Sequence, residues 1–369
     1  MKSWGRLGMK YKWGELISLE YGKPIVDKTS INGPVPVYGT NGQIGTSHLP
    51  PLCKEASFIL GRKGAYRGVH FSSVPFSVID TAFYAVNLNP AVLSIKWAYY
   101  KFLTYDINSM DSGSAIPSTD RYEIYAIEVE LPSIEIQKKV VSILESIDEK
   151  IACNNAVNDN LLSQAQAIFD YSYQVADFQQ PFTSLIHVLG GGTPKTGEAE
   201  FWNGRIPFFT PKDVGRPYAF KTEKTITEAG LEHCNSRLFP KNTTFVTARG
   251  TVGKVSLAGR PMAMNQSCYA LASDLIDPIL VYFYALRAVN SLKHKASGAV
   301  FDAIVTRDFD TETISVISET ESSRLLSLIT PMMSAIHANA EENLRLASLR
   351  DSLLPKLMTG EIDVSAVSI

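Results

Sequence analysis

Two stretches of the chain carry apolar residues in alternating steps of four and three, the spacing of a heptad repeat. The first stretch reads Val140, Leu144, Ile147, Ile151, Asn154, Asn158, Leu161, Ala165 and Ile168. The second reads Leu325, Ile329, Met332, Ile336, Asn339, Asn343, Leu346, Arg350 and Leu353. Two seams of this length predict two long helices that form a coiled coil. The alternative is that each is an amphipathic helix packed only on its own domain.

Asparagines interrupt both seams at matching places. In an antiparallel pair of helices Asn154 faces Asn343. Asn158 then faces Asn339, one step along the seam. Asparagine inside a seam lowers stability and is typically kept because it fixes the register. We therefore predict an antiparallel pair with two adjacent polar layers that set its register.

Outside the seams, each half of the chain alternates short strand-like runs with turns. In the second half these runs are 205–210, 243–248 and 254–257, separated by Gly, Pro and Asn. A helix is predicted to begin at Asn89-Pro90 in the first half and at Asp277-Pro278 in the second. Asn or Asp is a good N-cap and Pro fits the first helical position. Each globular half is therefore predicted to be α+β.

The two halves repeat one another at a shift of 185 residues. Tyr84-Ala85 coincides with Tyr269-Ala270, and both seams coincide at their asparagines. A repeat this long is a whole domain plus a helix, far above the period of a solenoid. We expect domains at 1–131 and 178–316, a central helix at 132–177, and a distal helix with the C-terminal tail at 317–369. Such a pseudo-twofold chain suits a target with two half-sites.

Composition narrows the class of protein. The 369 residues, 45% hydrophobic and 20% charged, are typical of a soluble globular protein with two cores. Neither a membrane-spanning apolar stretch nor the apolar core of a signal peptide is present, so we expect a cytoplasmic protein with no membrane partner. The cysteines, Cys53, Cys153, Cys234 and Cys268, lack metal-site spacing and are predicted to be reduced thiols.

The net charge of −2 does not by itself favour nucleic acid. The charge is unevenly placed, however, with a small basic excess in each globular half and an acidic excess in each helical segment. Basic loops on the globular parts can still contact phosphates. The acidic helices are better placed away from DNA or against a protein.

Catalytic motifs are missing from the sequence. There is no phosphate-binding G-x-x-x-x-G-K-[ST] loop, no H-E-x-x-H metal motif and no G-x-S-x-G nucleophile motif. The Asp/Asn-Pro-Pro-aromatic run that amino-methyltransferases use on a flipped base is also absent. An enzyme of another type remains an open alternative.

Two Gly-containing basic loops occupy equivalent places in the two halves, at 62–67 and 249–254. Each follows an apolar strand. Gly allows close backbone approach, Arg and Lys reach phosphates or guanine, and Tyr or Thr contacts sugars and base edges. A basic turn is more often simply solvated, but the recurrence of the loop in both repeats favours a role in DNA binding.

Several segments of the chain resemble a known family, the specificity subunits of type I restriction-modification systems. The segments 190–195, 201–204 and 206–214 resemble its target recognition domain. Residues 115–118 with Arg121, leading into 131–137, resemble the passage into its central conserved helix, and 349–357 with 360–362 resemble its C-terminal end. The second half departs from this pattern, because 317–323 lacks the Pro and the Gln present in 131–137.

The resemblance implies an α+β chain in which two pseudo-twofold-related target recognition domains are joined by two long antiparallel helices forming a coiled coil. Its partners would be double-stranded DNA with a bipartite site, two methyltransferase subunits and restriction/translocase subunits. The chain would hold no cofactor; S-adenosylmethionine, ATP and Mg would sit on the partner subunits. A protein-only adaptor, or a DNA methyltransferase or endonuclease with built-in recognition domains, are the alternatives.

The loops, their repetition and the resemblance together give a set of polar and basic residues as candidates for DNA contact. These are Lys23, Thr40, Asn41, Arg62, Lys63, Tyr66, Arg67, Ser114, Arg121, Lys195, Thr210, Lys212, Arg249, Thr251, Lys254 and Arg307.

Overall fold

A computed structural model describes residues 8–28, 30, 32–110, 117–295 and 303–367. The chain forms two compact units. Unit 1 combines Met1–Lys150 with Leu346–Ile369, and unit 2 is Ile151–Arg345. Helices α4 (Ile134–Gln174) and α9 (Glu319–Thr359) each run through both units. The division between the two units thus falls within these helices. The domain boundaries expected from the sequence stay a prediction.

Unit 1 contains short strands and helices before α4. They are β1 (Met9–Lys12), α1 (Trp13–Leu16), β2 (Ile17–Tyr21), β3 (Val35–Gly39), β4 (Gly42–Ser47), β5 (Ser57–Gly61), β6 (Val69–Ser72), β7 (Ser77–Val78), β8 (Ala82–Asn87), α2 (Ile95–Phe102), α3 (Arg121–Ala126) and β9 (Glu128–Leu131).

Three sheets organise the described part of unit 1, with strand orders β2-β8-β5-β6, β4-β3-β7 and β1-β9. Strands β3 and β7 pair in parallel, whereas the other pairs are antiparallel. Strand β5 is buried along its whole length, as expected for a central strand with apolar residues on both faces. Trp13 and Trp97 are fully buried in a core that also takes in Val140 of α4 and Leu357 of α9. The ends of both long helices thus complete the core of this unit.

The elements of unit 2 follow the same order, with one strand and one helix added. They are β10 (Gln179–Pro181), α5 (Phe182–Leu185), β11 (His187–Gly190), β12 (Trp202–Phe209), β13 (Tyr218–Ala219), β14 (Lys224–Ile226), α6 (Glu228–Glu232), β15 (Thr244–Thr247), β16 (Val255–Ala258), β17 (Ala263–Met264), β18 (Cys268–Ala272), α7 (Pro278–Lys295), α8 (Thr306–Asp310) and β19 (Thr313–Ser315).

The sheets of unit 2 match those of unit 1 except for the added strand β13, which pairs in parallel with β16. Their strand orders are β11-β18-β15-β16-β13, β14-β12-β17 and β10-β19. The parallel pair β12–β17 corresponds to β3–β7. Phe169 of α4 and Ile329 of α9 are fully buried in the core of this unit, where the ring of Phe169 stacks on Phe283 of α7. Both the α+β class and the internal repeat are confirmed.

One of the two predicted helix starts is wrong. Helix α7 begins at Pro278, and the Asp277 carboxylate accepts a hydrogen bond from Ile279 N at 2.8 Å, as an N-cap should. In unit 1, however, α2 begins at Ile95, and its N-cap is Ser94. The Asn89 carbonyl accepts from the backbone nitrogens of the third and fourth residues after it, which makes a turn that ends before α2. The sequence Asn89-Pro90 therefore forms a turn and does not begin a helix.

The long helices pair antiparallel. Within unit 2, Asn154 Nδ2 donates to Asn343 Oδ1 at 2.8 Å. Asn339 Nδ2 donates to Asn158 Oδ1 at 2.9 Å. These are the two pairs that the antiparallel alignment predicts. Asn154 and Asn158 are buried, at 3% and 5% exposure, so each amide needs the partner that it has. Their part in setting the register stays a prediction.

The same alignment places Arg350 opposite Ile147, and the structure shows how that layer is accommodated. In unit 1, Arg350 Nη1 turns to Asp148 Oδ1 at 2.8 Å. Tyr100 donates from its hydroxyl to the other oxygen of Asp148 at 2.7 Å. Ile147 keeps a buried position at 8% exposure. The arginine thus leaves the apolar layer and joins a hydrogen-bonded network at its edge.

Candidate nucleic-acid interface

The basic loop of unit 1, residues 62–67, follows β5 and is fixed by its neighbours. Thr40 Oγ1 lies 2.9 Å from the carbonyl oxygen of Lys63 and 2.7 Å from that of Thr81. Gly64 has φ +118°, a conformation that L side chains rarely adopt. Thr40, a predicted contact residue, therefore has a structural task in holding this loop.

Unit 2 builds its loop, residues 248–254, in the same way after β15. The Ile304 nitrogen donates to the Ala248 carbonyl at 2.9 Å. In unit 1 the Thr119 nitrogen donates to the Arg62 carbonyl, also at 2.9 Å. Each loop is thus tied to the segment that leads into a short helix, α3 or α8. Those helices carry two more candidates, Arg121 and Arg307.

Two arginines of unit 1 share one aromatic ring. The guanidinium carbons of Arg62 and Arg121 lie 4.8 and 4.9 Å from the ring centre of Tyr21, which is 46% exposed. Such cation–π contacts orient guanidinium groups without neutralising them. A hydrogen bond to the Tyr122 hydroxyl raises the pKa of Arg121. The result is an oriented, positively charged pair on the surface of unit 1.

Arg67 is a correction to the predicted set. Its side chain is 2% exposed, and Nη2 donates to the carbonyls of Ile107 and Asn108 at 3.3 and 2.8 Å. The Asn108 side chain also accepts from the Arg67 backbone nitrogen at 2.7 Å. A guanidinium in this position cannot reach a phosphate, so Arg67 holds the loop rather than contacting DNA. The sequence could not show this, because the carbonyls come from a segment 40 residues away.

A cleft of about 460 Å³ in unit 2 brings several candidates together. It is lined by the predicted Thr210, Lys212 and Arg249. We call it the recognition cleft; its other lining residues are Thr193, Thr196, Trp202, Phe208, Pro211, Glu223, Lys224, Gly250, Asn265, Gln266 and Ser267. Arg249 is exposed. Its side chain therefore remains a candidate for contact with DNA.

Two of the cleft candidates already have partners. Thr210 Oγ1 donates to Asp213 Oδ2 at 2.7 Å and caps the short helical turn that follows it. Lys212 Nζ pairs with Glu223 Oε2 at 3.2 Å, with both side chains largely exposed. An exposed pair of this kind is weak and exchanges readily for another anion. Lys212 therefore remains a candidate, whereas Thr210 acts mainly as a cap.

Three cleft residues were missed at the sequence level. Trp202 lines the cleft, and its indole nitrogen donates a hydrogen bond to the Lys195 carbonyl at 3.1 Å. Asn265 and Gln266 precede β18 and add two side-chain amides. Amides are the groups that read adenine in the major groove. Trp202 belonged to a segment noted for its resemblance, but no local signal marked the two amides.

The other candidates are spread over the two units. Lys23, Asn41 and Tyr66 are exposed in unit 1, and Lys63 is half-buried. Lys195, Thr251, Lys254 and Arg307 are exposed in unit 2. Lys254 does not line the recognition cleft; it lines another cleft of the same unit. Ser114 lies outside the described residues.

Within the described residues, no group of three or more His, Cys, Asp or Glu side chains has the arrangement to hold a metal ion. In the same part of the chain, no helix combines the length and apolarity needed to cross a membrane. All four cysteines are free, and Cys53 and Cys268 are buried. Burial raises the pKa of the Cys268 thiol to about 12.

Comparison with known proteins agrees with this architecture. The type I restriction modification DNA specificity domain matches twice, over residues 10–163 and 182–341. The crystal structure of a type I restriction-modification system S subunit from M. genitalium covers 97% of this chain and 98% of its own, with a TM-score of 0.61 and 14% identity. That likeness shows a shared fold.

Two curated relatives match parts of the chain. The type I restriction enzyme MjaIX specificity subunit of Methanocaldococcus jannaschii is 33% identical over 120 residues, 31% of this chain and 28% of that protein. The EcoR124I/EcoR124II specificity subunit of Escherichia coli is 26% identical over 269 residues, 61% of this chain and 64% of that protein. Each match spans less than two thirds of the relative. The family model covers both halves of the repeat, and the chain belongs to the family of type I restriction-modification DNA specificity domains.

Proposed function

We propose that this chain is the DNA sequence-recognition subunit of a type I restriction-modification complex. Each unit reads one half of a bipartite site in double-stranded DNA. The long helices recruit two methyltransferase subunits and the restriction/translocase subunits. The chain itself is non-catalytic, and S-adenosylmethionine, ATP and Mg are held by those partners. The names of the relatives, all specificity subunits, support this assignment.

The observation that carries the proposal is the basic loop built twice on the same scaffold. In both units it follows a buried strand and is tied by a backbone hydrogen bond of 2.9 Å to the segment before α3 or α8. Each construction carries two arginines: Arg62 and Arg121 in unit 1 are half-buried, and Arg249 and Arg307 in unit 2 are exposed. A fixed backbone with projecting cations is what reading a base edge requires.

In unit 2 the recognition cleft suggests how bases are read. An arginine pairs with guanine through two hydrogen bonds, and Asn or Gln pairs similarly with adenine. Arg249, Asn265 and Gln266 place these groups in one cleft. Lys212 and Lys224 supply positive charge at the same place. Together they form a site with both base-reading and phosphate-contacting groups.

The test is methylation mapping with Arg249→Ala, made in the chain co-expressed with its methyltransferase subunits. If Arg249 reads a guanine, one base pair of one half-site loses discrimination worth about 1–3 kcal/mol, roughly 5-fold to 150-fold in relative methylation. The other half-site keeps its sequence. Arg260→Ala is the control, because Arg260 is also exposed but lies beyond the opposite end of β16.

The alternatives give different results. An unchanged methylation pattern would remove Arg249 from base reading. Methylation by the chain alone would indicate an enzyme with a built-in recognition domain. If the wild-type chain has no DNA affinity and Arg249→Ala loses assembly with the methyltransferase subunits, the chain would be a protein-only adaptor.

A further inference from the structure

A second cleft of unit 2, of about 660 Å³, lies at the other end of loop 248–254. Arg249 and Gly250 line the recognition cleft, whereas Gly253 and Lys254 line this one. Its remaining wall comes mainly from α7 and includes Lys293. We call it the lysine pocket, after Lys254 and Lys293. Arg249 and Lys254, which belong to one loop, thus line different clefts.

Lys293 is held in place by Gly253. The glycine has φ +72°, and a Cβ built on it would collide with Lys293 Cε and lie 3.2 Å from Lys293 Nζ. The aliphatic stem of Lys293 therefore lies directly over the backbone of the loop. Lys293 and Lys254 therefore line the pocket from different elements, one from α7 and one from the loop.

The two lysines lack a counter-ion among the described residues. No described carboxylate lies within 4.0 Å of either ammonium, whereas Arg287, in the same pocket, is matched by Asp170 at 2.5 Å. Burial, and after it the charge of Lys254, lowers the pKa of Lys293. Two like charges in one pocket repel each other, and an anion between them would remove that repulsion.

We propose that the lysine pocket takes a backbone phosphate of DNA beside the bases that face the recognition cleft. This inference rests on the proposed function. Lysine is a point charge without the planar fork that reads bases, so it suits a phosphate rather than a base edge. The residues from Arg249 to Lys254 span at most about 18 Å even when fully extended. A duplex over the recognition cleft therefore has phosphates within reach of the pocket.

The experiment measures DNA affinity against salt concentration for the full chain in complex with its methyltransferase subunits. Lys293→Met keeps the aliphatic stem over Gly253 and removes the charge, and Lys254→Met is combined with it. The double variant is expected to lower the slope of log affinity against log salt by about 0.9, the value for one phosphate. The loss should be equal on duplexes with and without the recognition site, unlike that of Arg249→Ala.

Lys241→Met serves as the matched control. Lys241 is an exposed lysine that precedes the first residue of β15, whereas the loop follows the last residue of that strand. Lys293→Arg should keep the wild-type slope. The thermal midpoint of the double variant should not fall, because a repulsion is removed. If it does fall, the slope of Lys254→Met alone, on the exposed loop, decides the question.

The failures can be told apart. Wild-type complex without salt-dependent DNA binding would defeat the proposed function itself. A wild-type slope in a folded double variant would overturn the phosphate site alone. If the double variant keeps the wild-type slope but no longer binds the methyltransferase subunit, the pocket would be assigned to that protein and not to DNA.

Discussion

Gln137 offers the sharpest test of how α4 is anchored in unit 1. Its side chain is fully buried. Nε2 donates to the carbonyls of Val92 and Pro132 at 2.7 and 2.9 Å, and Oε1 accepts from the Ser94 nitrogen at 2.8 Å. Ser94 is the N-cap of α2. One glutamine thus joins the first turn of α4 to the start of α2.

Gln137→Met removes these three hydrogen bonds while keeping the length of the side chain, so no large cavity is left. Each bond contributes about 0.5–1.5 kcal/mol net, and a buried partner left unsatisfied costs about 1–3 kcal/mol. Pro132 is buried, whereas Val92 and Ser94 are half-buried and can regain water in part. We therefore expect unit 1 to lose about 2–4 kcal/mol.

Urea unfolding followed by circular dichroism gives the global change, and hydrogen exchange over residues 92–102 isolates the region. A loss of 2 kcal/mol or more corresponds to roughly thirtyfold faster exchange there, wherever exchange proceeds through opening of this region. Lys138→Met is the control, because Lys138 is the exposed neighbour on the same helix. A change below about 1 kcal/mol, with protection of α2 retained, would refute the anchoring role of Gln137.

Two further tests concern the helix pair. Asn339→Leu leaves the Asn158 oxygen without its donor at a site 5% exposed, so it should cost about 1–3 kcal/mol, and adding Asn158→Leu should restore stability. Thermal unfolding of both variants checks this, and equal losses in the single and double variants would contradict it. Asp148→Asn removes the charge that accepts from Arg350 and Tyr100. With Asp148 and Arg350 each about a third exposed, a loss of about 1–2 kcal/mol is expected; a urea titration showing none would mean that the network adds no stability.

The sequence predicted the long helices and their pairing because a heptad pattern is a local, periodic signal that persists over many turns. It also predicted the strands β12, β15 and β16, because an apolar strand bounded by Gly and Pro can be recognised from its own local sequence. It failed at Asn89, where the same capping signal formed a turn and Ser94 capped the helix instead. Local signals define elements well, but their exact starts depend on neighbours.

The candidate site was predictable only in part, since burial and proximity are set by the tertiary fold. Arg67 and Arg62 lie in one loop and look equivalent in sequence, yet Arg67 is buried against Ile107 while Arg62 lies beside the exposed ring of Tyr21. Asn265 enters the recognition cleft from a turn with no basic or Gly-rich pattern. Such residues can be found only once the strands are assembled.

The two halves of the repeat support the starts of α4 and α9 with different contacts. In unit 1, Gln137 satisfies the backbone around the start of α2. Unit 2 has Ser322 in the matching region, and its hydroxyl reaches only the Ile317 carbonyl, at 3.4 Å. There the Tyr284 hydroxyl of α7 lies 3.0 Å from the Ile317 nitrogen, so a longer helix supplies the link. A side chain from a different element, Tyr284 of α7, therefore supports the backbone before α9 in unit 2.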